Sequence, residues 1–212
     1  MEAVATMFAF PGGEETTPRV VPDPEGARLA AAAAAGSPEA FRALVERHQD
    51  QVYRLVLRMV RDPGIAEDVA QETFLKAYRA LRTYDPQWKL GSWLLKIAHN
   101  ATIDHLRRQR LDTRPLETAA DDDAPSLLDQ LADESEPGPE AHARGKALAR
   151  DLRSAVDTLE PAYRELILLR FQEGLAYQDI ADVTGLPLGT VKVRLHRGRK
   201  RLADAIAARG WR

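Results

Sequence analysis

Residues 111–140 hold ten acidic residues, one basic residue and four prolines, and no other stretch limits the fold as strongly. Like charges at this density repel one another, and the prolines Pro115, Pro125, Pro137 and Pro139 interrupt helix and strand alike. The strip therefore reads as a linker rather than as part of a core. A chain of 212 residues allows one large or two small domains, and the linker decides for two. Within it, Leu127, Leu128 and Leu131 offer one short amphipathic turn.

The overall charge of -2 conceals this division. Residues 37–110 carry 13 basic and 9 acidic side chains, and residues 141–212 carry 14 and 8. Two basic blocks joined by an acidic tether suggest a polyanionic partner for the blocks. Charge alone does not select nucleic acid, because a solvated basic helix surface fits the same counts.

Composition removes several function classes. There is no cysteine, which excludes disulfides, thiolate metal sites and cysteine catalysis. His48, His99, His105, His142 and His196 are scattered and share no metal-ligand spacing. No phosphate-cradling glycine loop and no nucleophile motif is present, so neither an enzyme nor a cofactor is expected. The start Met1-Glu2-Ala3-Val4 lacks the basic and apolar regions of a signal peptide. No apolar run approaches the ~18 residues of a membrane span, so a cytoplasmic location and no membrane partner are expected.

An all-α fold follows from low aromatic content, abundant alanine and apolar spacing. Residues 1–36 read as a disordered extension, with Ala30–Ala35 leading into the first helix. In the first block Phe41, Leu44, Val45, Val52, Leu55, Val56 and Met59 recur at three- and four-residue intervals. Asp62-Pro63 then supplies an N-cap with proline at the first helical position. The next helix should bury Ile65, Val69, Phe74, Tyr78 and Leu81 and present Asp68, Gln71, Glu72 and Arg79. Tyr84-Asp85-Pro86 ends it, and a long helix with a basic end runs from Trp93 to about Arg110.

The second block begins with a helix over about Ala141–Thr158 and another after Pro161, the latter burying Leu166 and Leu169. Tyr177–Thr184 then forms a short helix stopped by Gly185, a residue suited to a left-handed cap, and Leu186-Pro187 starts another. Helix, tight glycine turn and helix is the helix-turn-helix pattern. At about 100° per residue, Val191, Leu195, Gly198 and Leu202 share one narrow stripe of the last helix. Val193, His196, Arg197 and Lys200 fall opposite, with Lys192 and Arg199 flanking. A recognition helix needs this division, with long donors for base edges and cations for phosphates.

These residues carry a family resemblance. Tyr177-Gln178-Asp179-Ile180-Ala181 and Gly185–Lys192 resemble the fourth conserved domain of bacterial sigma factors. Ala66–Phe74 and Ser92–Asn100, with Asp104 and Arg107-Arg108 following, resemble their second domain. The two motif sets stand in the family's order, and the other conserved regions of housekeeping sigma factors are missing. The chain is similar in this to the small extracytoplasmic-function (ECF) group.

The resemblance implies a sigma domain two at 37–110, a linker at 111–140 and a sigma domain four at 141–212. It implies core RNA polymerase as partner, through the β′ clamp helices and the β flap, and promoter DNA. Asp68, Gln71 and Glu72 would dock on the clamp helices. Trp93, Lys96, Asn100, Asp104, Arg107 and Arg108 would melt and hold the minus-ten element, with Asn100 reading a flipped base. Thr190, Lys192, Val193, His196, Arg197 and Lys200 would read the minus-thirty-five element in the major groove. Val193 departs from the small hydroxyl residue common at its position; it forms no hydrogen bond but can touch a thymine methyl. The linker would occupy the polymerase's basic channel. An anti-sigma factor is a common partner in the family, and no residue here identifies one. A stand-alone helix-turn-helix regulator is the alternative; it leaves Ala66–Phe74 and Ser92–Asn100 unexplained.

Overall fold

A computed structural model of the chain describes residues 23–112 and 139–211. The described residues form helices and connecting turns. They divide into two compact units, one centred on 23–112 and one on 139–177 and 187–211, with residues 178–186 grouped with the first. The expected disorder of residues 1–22 and the turn at Leu127, Leu128 and Leu131 lie outside the described residues.

The first unit opens with a helix that the sequence reading missed. Helix α1, Pro24–Ala34, occupies part of the stretch expected to be disordered. Asp23 caps it by accepting from the Gly26 amide at 2.9 Å, and Pro24 takes the first helical position. Its alanines are core rather than lead-in, for Ala30 and Ala33 are buried. Gly26 packs so near Leu90 that an added β-carbon would stand 2.9 Å from the Leu90 Cβ. Arg47 fastens the start of α1, with Asp23 at 3.3 Å and Glu25 at 3.0 Å. Small side chains and short distances make this helix a packed layer, which a count of large apolar residues overlooks.

Helix α2, Pro38–Val60, is capped by Ser37, whose hydroxyl accepts from the Ala40 amide. Helix α3, Pro63–Ala80, starts at the anticipated cap, where Asp62 accepts from the Ile65 amide at 2.9 Å. A single 3₁₀ turn, Leu81–Thr83, follows, and helix α4 runs Leu90–Asp112. Leu44, Val52, Val56, Val69, Phe74, Leu90 and Leu94 join the alanines of α1 in one core. Tyr78, expected inside, is 52% exposed and meets the Phe41 ring in an edge arrangement at 4.9 Å.

The second unit contains α5, Pro139–Asp157, and α6, Pro161–Ile167, the latter widening into a π-helical turn at Leu168–Gln172. Helices α4 and α5 thus each run two residues into the acidic strip, whose remainder, 113–138, lies outside the described residues. Arg164 is buried, and its guanidinium donates to the carbonyls of Asp157 and Leu159, fixing the corner between α5 and α6. Helix α7, Tyr177–Thr184, ends at Gly185, whose φ of 69° is the left-handed conformation expected there. Helix α8, Leu188–Ala207, follows two residues later.

Candidate nucleic-acid interface

Helix α8 has the facing that its spacing predicts. Val191, Leu195, Gly198, Leu202 and Ile206 are buried. Gly198 permits close approach to α6: a β-carbon there would meet Ile167 Cγ1 at 3.2 Å. Arg201 strengthens the same seam, stacking 4.3 Å above the Tyr163 ring and donating to the Glu160 carboxylate at 2.7 Å. With this side committed, Val193, His196, Arg197 and Lys200 are exposed on the other. Thr190 and Lys192 are half-buried at the edges. Thr190, Val193, His196, Arg197 and Lys200 fall within an arc of about 120°. Arg194 and Arg199 add flanking charge.

The candidate minus-ten residues also lie along one line. At about 100° per residue, Trp93, Lys96, Asn100, Asp104 and Arg107 share a stripe of α4 roughly 80° wide, with Arg108 beside it. The stripe changes character along its length. Trp93 is half-buried and meets the Tyr84 ring edge-on at 5.3 Å, so it serves the core as well as the face. Lys96 places its ammonium 5.3 Å from the centre of the Trp88 ring. Asn100, Asp104, Arg107 and Arg108 are exposed. The Tyr84 hydroxyl donates to the Trp88 carbonyl at 2.6 Å and so shapes the 84–90 connection. Trp88 is a residue that spacing rules had no means to bring beside Lys96, because it stands in that connection.

The third group lies on α3. Asp68 and Gln71 are exposed, and Glu72 is half-buried. Glu72 pairs with Lys76 at 2.8 Å, and that hydrogen bond holds its carboxyl below the ordinary carboxylate range. Lys76, Arg108 and His105 act electrostatically in the same direction, while burial opposes them. Glu72 thus links the α3 face electrostatically to the basic end of α4. Leu75 was absent from the sequence reading, although it follows Asp68 by seven residues and is 58% exposed among these polar groups.

Comparison with known proteins finds two separate family matches along the chain. Residues 44–111 match the family described as Sigma-70 region 2, and residues 149–202 match Sigma-70, region 4. The chain is 38% identical over 165 residues to the ECF RNA polymerase sigma factor SigE of Mycolicibacterium smegmatis, covering 77% of this chain and 60% of that one. It is 32% identical to the ECF RNA polymerase sigma factor SigW of Bacillus subtilis, over 79% of this chain and 89% of that one. Among solved structures, CnrH bound to the cytosolic domain of CnrY superposes with a TM-score of 0.61 at 25% identity, covering 87% and 98% of the two chains.

Proposed function

The chain belongs to the ECF family of RNA polymerase sigma factors, and from that membership we propose how its two helical units divide the work of initiation. It binds core RNA polymerase and directs transcription to particular promoters. It reads the minus-thirty-five element as duplex and the minus-ten element after strand separation. The observation that carries this reading is the pairing of two exposed polar helix faces, on α4 and α8, with the two matched regions in family order.

The α8 face fits duplex DNA. Arg197 has the length and the paired donors for guanine O6 and N7, and Lys192 and Lys200 supply phosphate contacts. The α4 face fits unpaired bases. Asn100 offers a donor and an acceptor to the Watson–Crick edge of an extruded base, and Arg107 and Arg108 hold its backbone. Contacts to captured bases, about 1–3 kcal/mol each, offset the cost of unpairing. Asp104 is acidic and points to a base amino group rather than a phosphate. Trp93 and Lys96 act through the Tyr84–Trp88 corner, setting the angle of the stripe.

Asp68, Gln71 and Glu72 dock on the β′ clamp helices, and residues 141–212 meet the β flap. Residues 111–140 tether the two readers and lie in the basic channel of the polymerase. No bond is made or broken by the chain itself, so it is a specificity subunit rather than an enzyme. Working with the polymerase places it in the cytoplasm, and no described helix is long and apolar enough to cross a membrane. An anti-sigma factor is a further partner in this reading, because the structural neighbour RpoE is solved in complex with the anti-sigma factor NepR from Bartonella quintana.

Reconstituted transcription tests the proposal. Core polymerase supplemented with the purified chain should start RNA at a restricted set of promoters from a genomic library. No association with core, or association without sequence preference, would refute it.

A further inference from the structure

Val193 is one of four large hydrophobic side chains exposed among the described residues. It is 50% exposed at the middle of the outward arc of α8, while the packed stripe of that helix lies opposite. A β-branched residue at an exposed helical position gives up a little propensity, so helix stability does not call for it either. Its neighbours on the face are polar: Thr190 one turn before, His196 and Arg197 one turn after, and Lys200 beyond.

The major groove presents hydrogen-bonding groups on every base edge and one apolar group, the C5-methyl of thymine. Valine neither donates nor accepts. Set against guanine O6, adenine N6 or cytosine N4, it would strip water from a polar edge and return nothing. Set against the thymine methyl, it loses no hydrogen bond and removes apolar surface from water. We propose, on the premise that α8 is the helix that enters the groove, that Val193 selects a thymine in the duplex element through its 5-methyl group. The thymine lies close to the base read by Arg197, since the two residues stand four apart and the helix rises about 6 Å between them, less than two base-pair steps.

Replacing thymine by deoxyuridine removes that methyl and nothing else. Holoenzyme made from core polymerase and the full chain is titrated with its selected minus-thirty-five duplex, each thymine being replaced in turn. One replacement should weaken binding about fourfold, the factor that corresponds to roughly 0.8 kcal/mol for one buried carbon. In V193A that difference should fall to nearly one, while the other positions behave as before. A selected element without thymine, no sensitive thymine, or equal sensitivity in V193A would each overturn the inference. A scrambled element bound as tightly as the selected one would overturn the reading of α8 itself. Retained element preference with no methyl effect would remove only the role of Val193.

Discussion

Gly198 of α8 faces Ile167 of α6 closely: a β-carbon would lie 3.2 Å from Ile167 Cγ1 and 3.6 Å from the Tyr163 Cβ. This contact sets how deeply α8 sits in its unit, and so how its outward arc is presented. A branched residue there would press on Ile167, so that either its side chain or the helix must shift. G198V is expected to destabilise the second unit by about 1–3 kcal/mol. The fluorescence of Trp211, whose indole donates to Asp151 at 2.7 Å, reports on that unit during denaturant unfolding. An unchanged midpoint would mean that α6 and α8 separate freely.

Arg197 is exposed on the same helix, on the side opposite its buried stripe. If it reads a guanine, R197A should weaken binding to the selected minus-thirty-five duplex by about 1–3 kcal/mol and relax preference at one base pair. K200A should instead weaken all sequences alike and lower the salt slope by about one. Fluorescence anisotropy at several salt concentrations separates the two. Uniform loss in R197A would make it a phosphate contact.

The face of α8 was legible because one periodicity governs it: apolar and small residues inside, and outside an arc that is polar and cationic apart from Val193, over four turns. The caps at Asp62 and Gly185 were legible for a similar reason, each being a local rule with a local cause. What escaped depends on contacts between distant segments. Helix α1 buries alanines and relies on Gly26 to approach Leu90, and composition alone reads that segment as low in complexity. Tyr78 obeys the spacing of a core residue yet stands half outside, with the Phe41 ring against it in an edge arrangement. Trp93 and Lys96 share one stripe of α4 by spacing alone, but their engagement with Tyr84 and Trp88 depends on how the 84–90 connection folds.

The α3 face gives a prediction about polymerase. D68A and Q71A remove exposed groups and should leave the fold intact, while weakening association with core by about 1–2 kcal/mol each. E72Q removes the charge that pairs with Lys76 and lies near Arg108. It should weaken docking and also change the salt dependence of minus-ten binding. Competition against labelled parent protein for core polymerase measures the first effect. Normal competition by all three variants would move the docking surface elsewhere.

His48 makes the stability of the first unit depend on pH. The ring is buried, with Nδ1 3.2 Å from Gln51 Oε1 and its edge against Gly91. Burial is the main cause holding its pKa below the ordinary 6.5; nearby Arg47 adds to this, and Gln51 and Asp23 oppose it. Above pH 6.5 the ring is neutral folded and unfolded, and the contribution is complete. As pH falls below 6.5 the unfolded chain takes up a proton that the folded unit resists, so stability declines until the lower folded value is passed. Thermal unfolding of W211F, followed through Trp88 and Trp93, should show a melting temperature that falls on acidification through this window. The H48Q variant, which keeps a polar partner for Gln51, should have a flatter profile.

Asn100 gives the sharpest test of the minus-ten reading. It is exposed in the middle of the α4 stripe, where asparagine is a mediocre helix former and contributes nothing to the core. N100A should therefore leave folding and polymerase binding unchanged. On duplex promoters it should slow open-complex formation by roughly 5- to 150-fold, the range that corresponds to about 1–3 kcal/mol lost at one captured base. On a premelted template carrying the selected minus-ten element the variant should still bind more weakly than the parent. On a premelted template with that element scrambled the two should be equal, because the amide then has no matching edge to bond. Permanganate footprinting of unpaired thymines follows opening, and filter binding follows the premelted templates. An equal deficit on both premelted templates would show that Asn100 holds the strand without reading it.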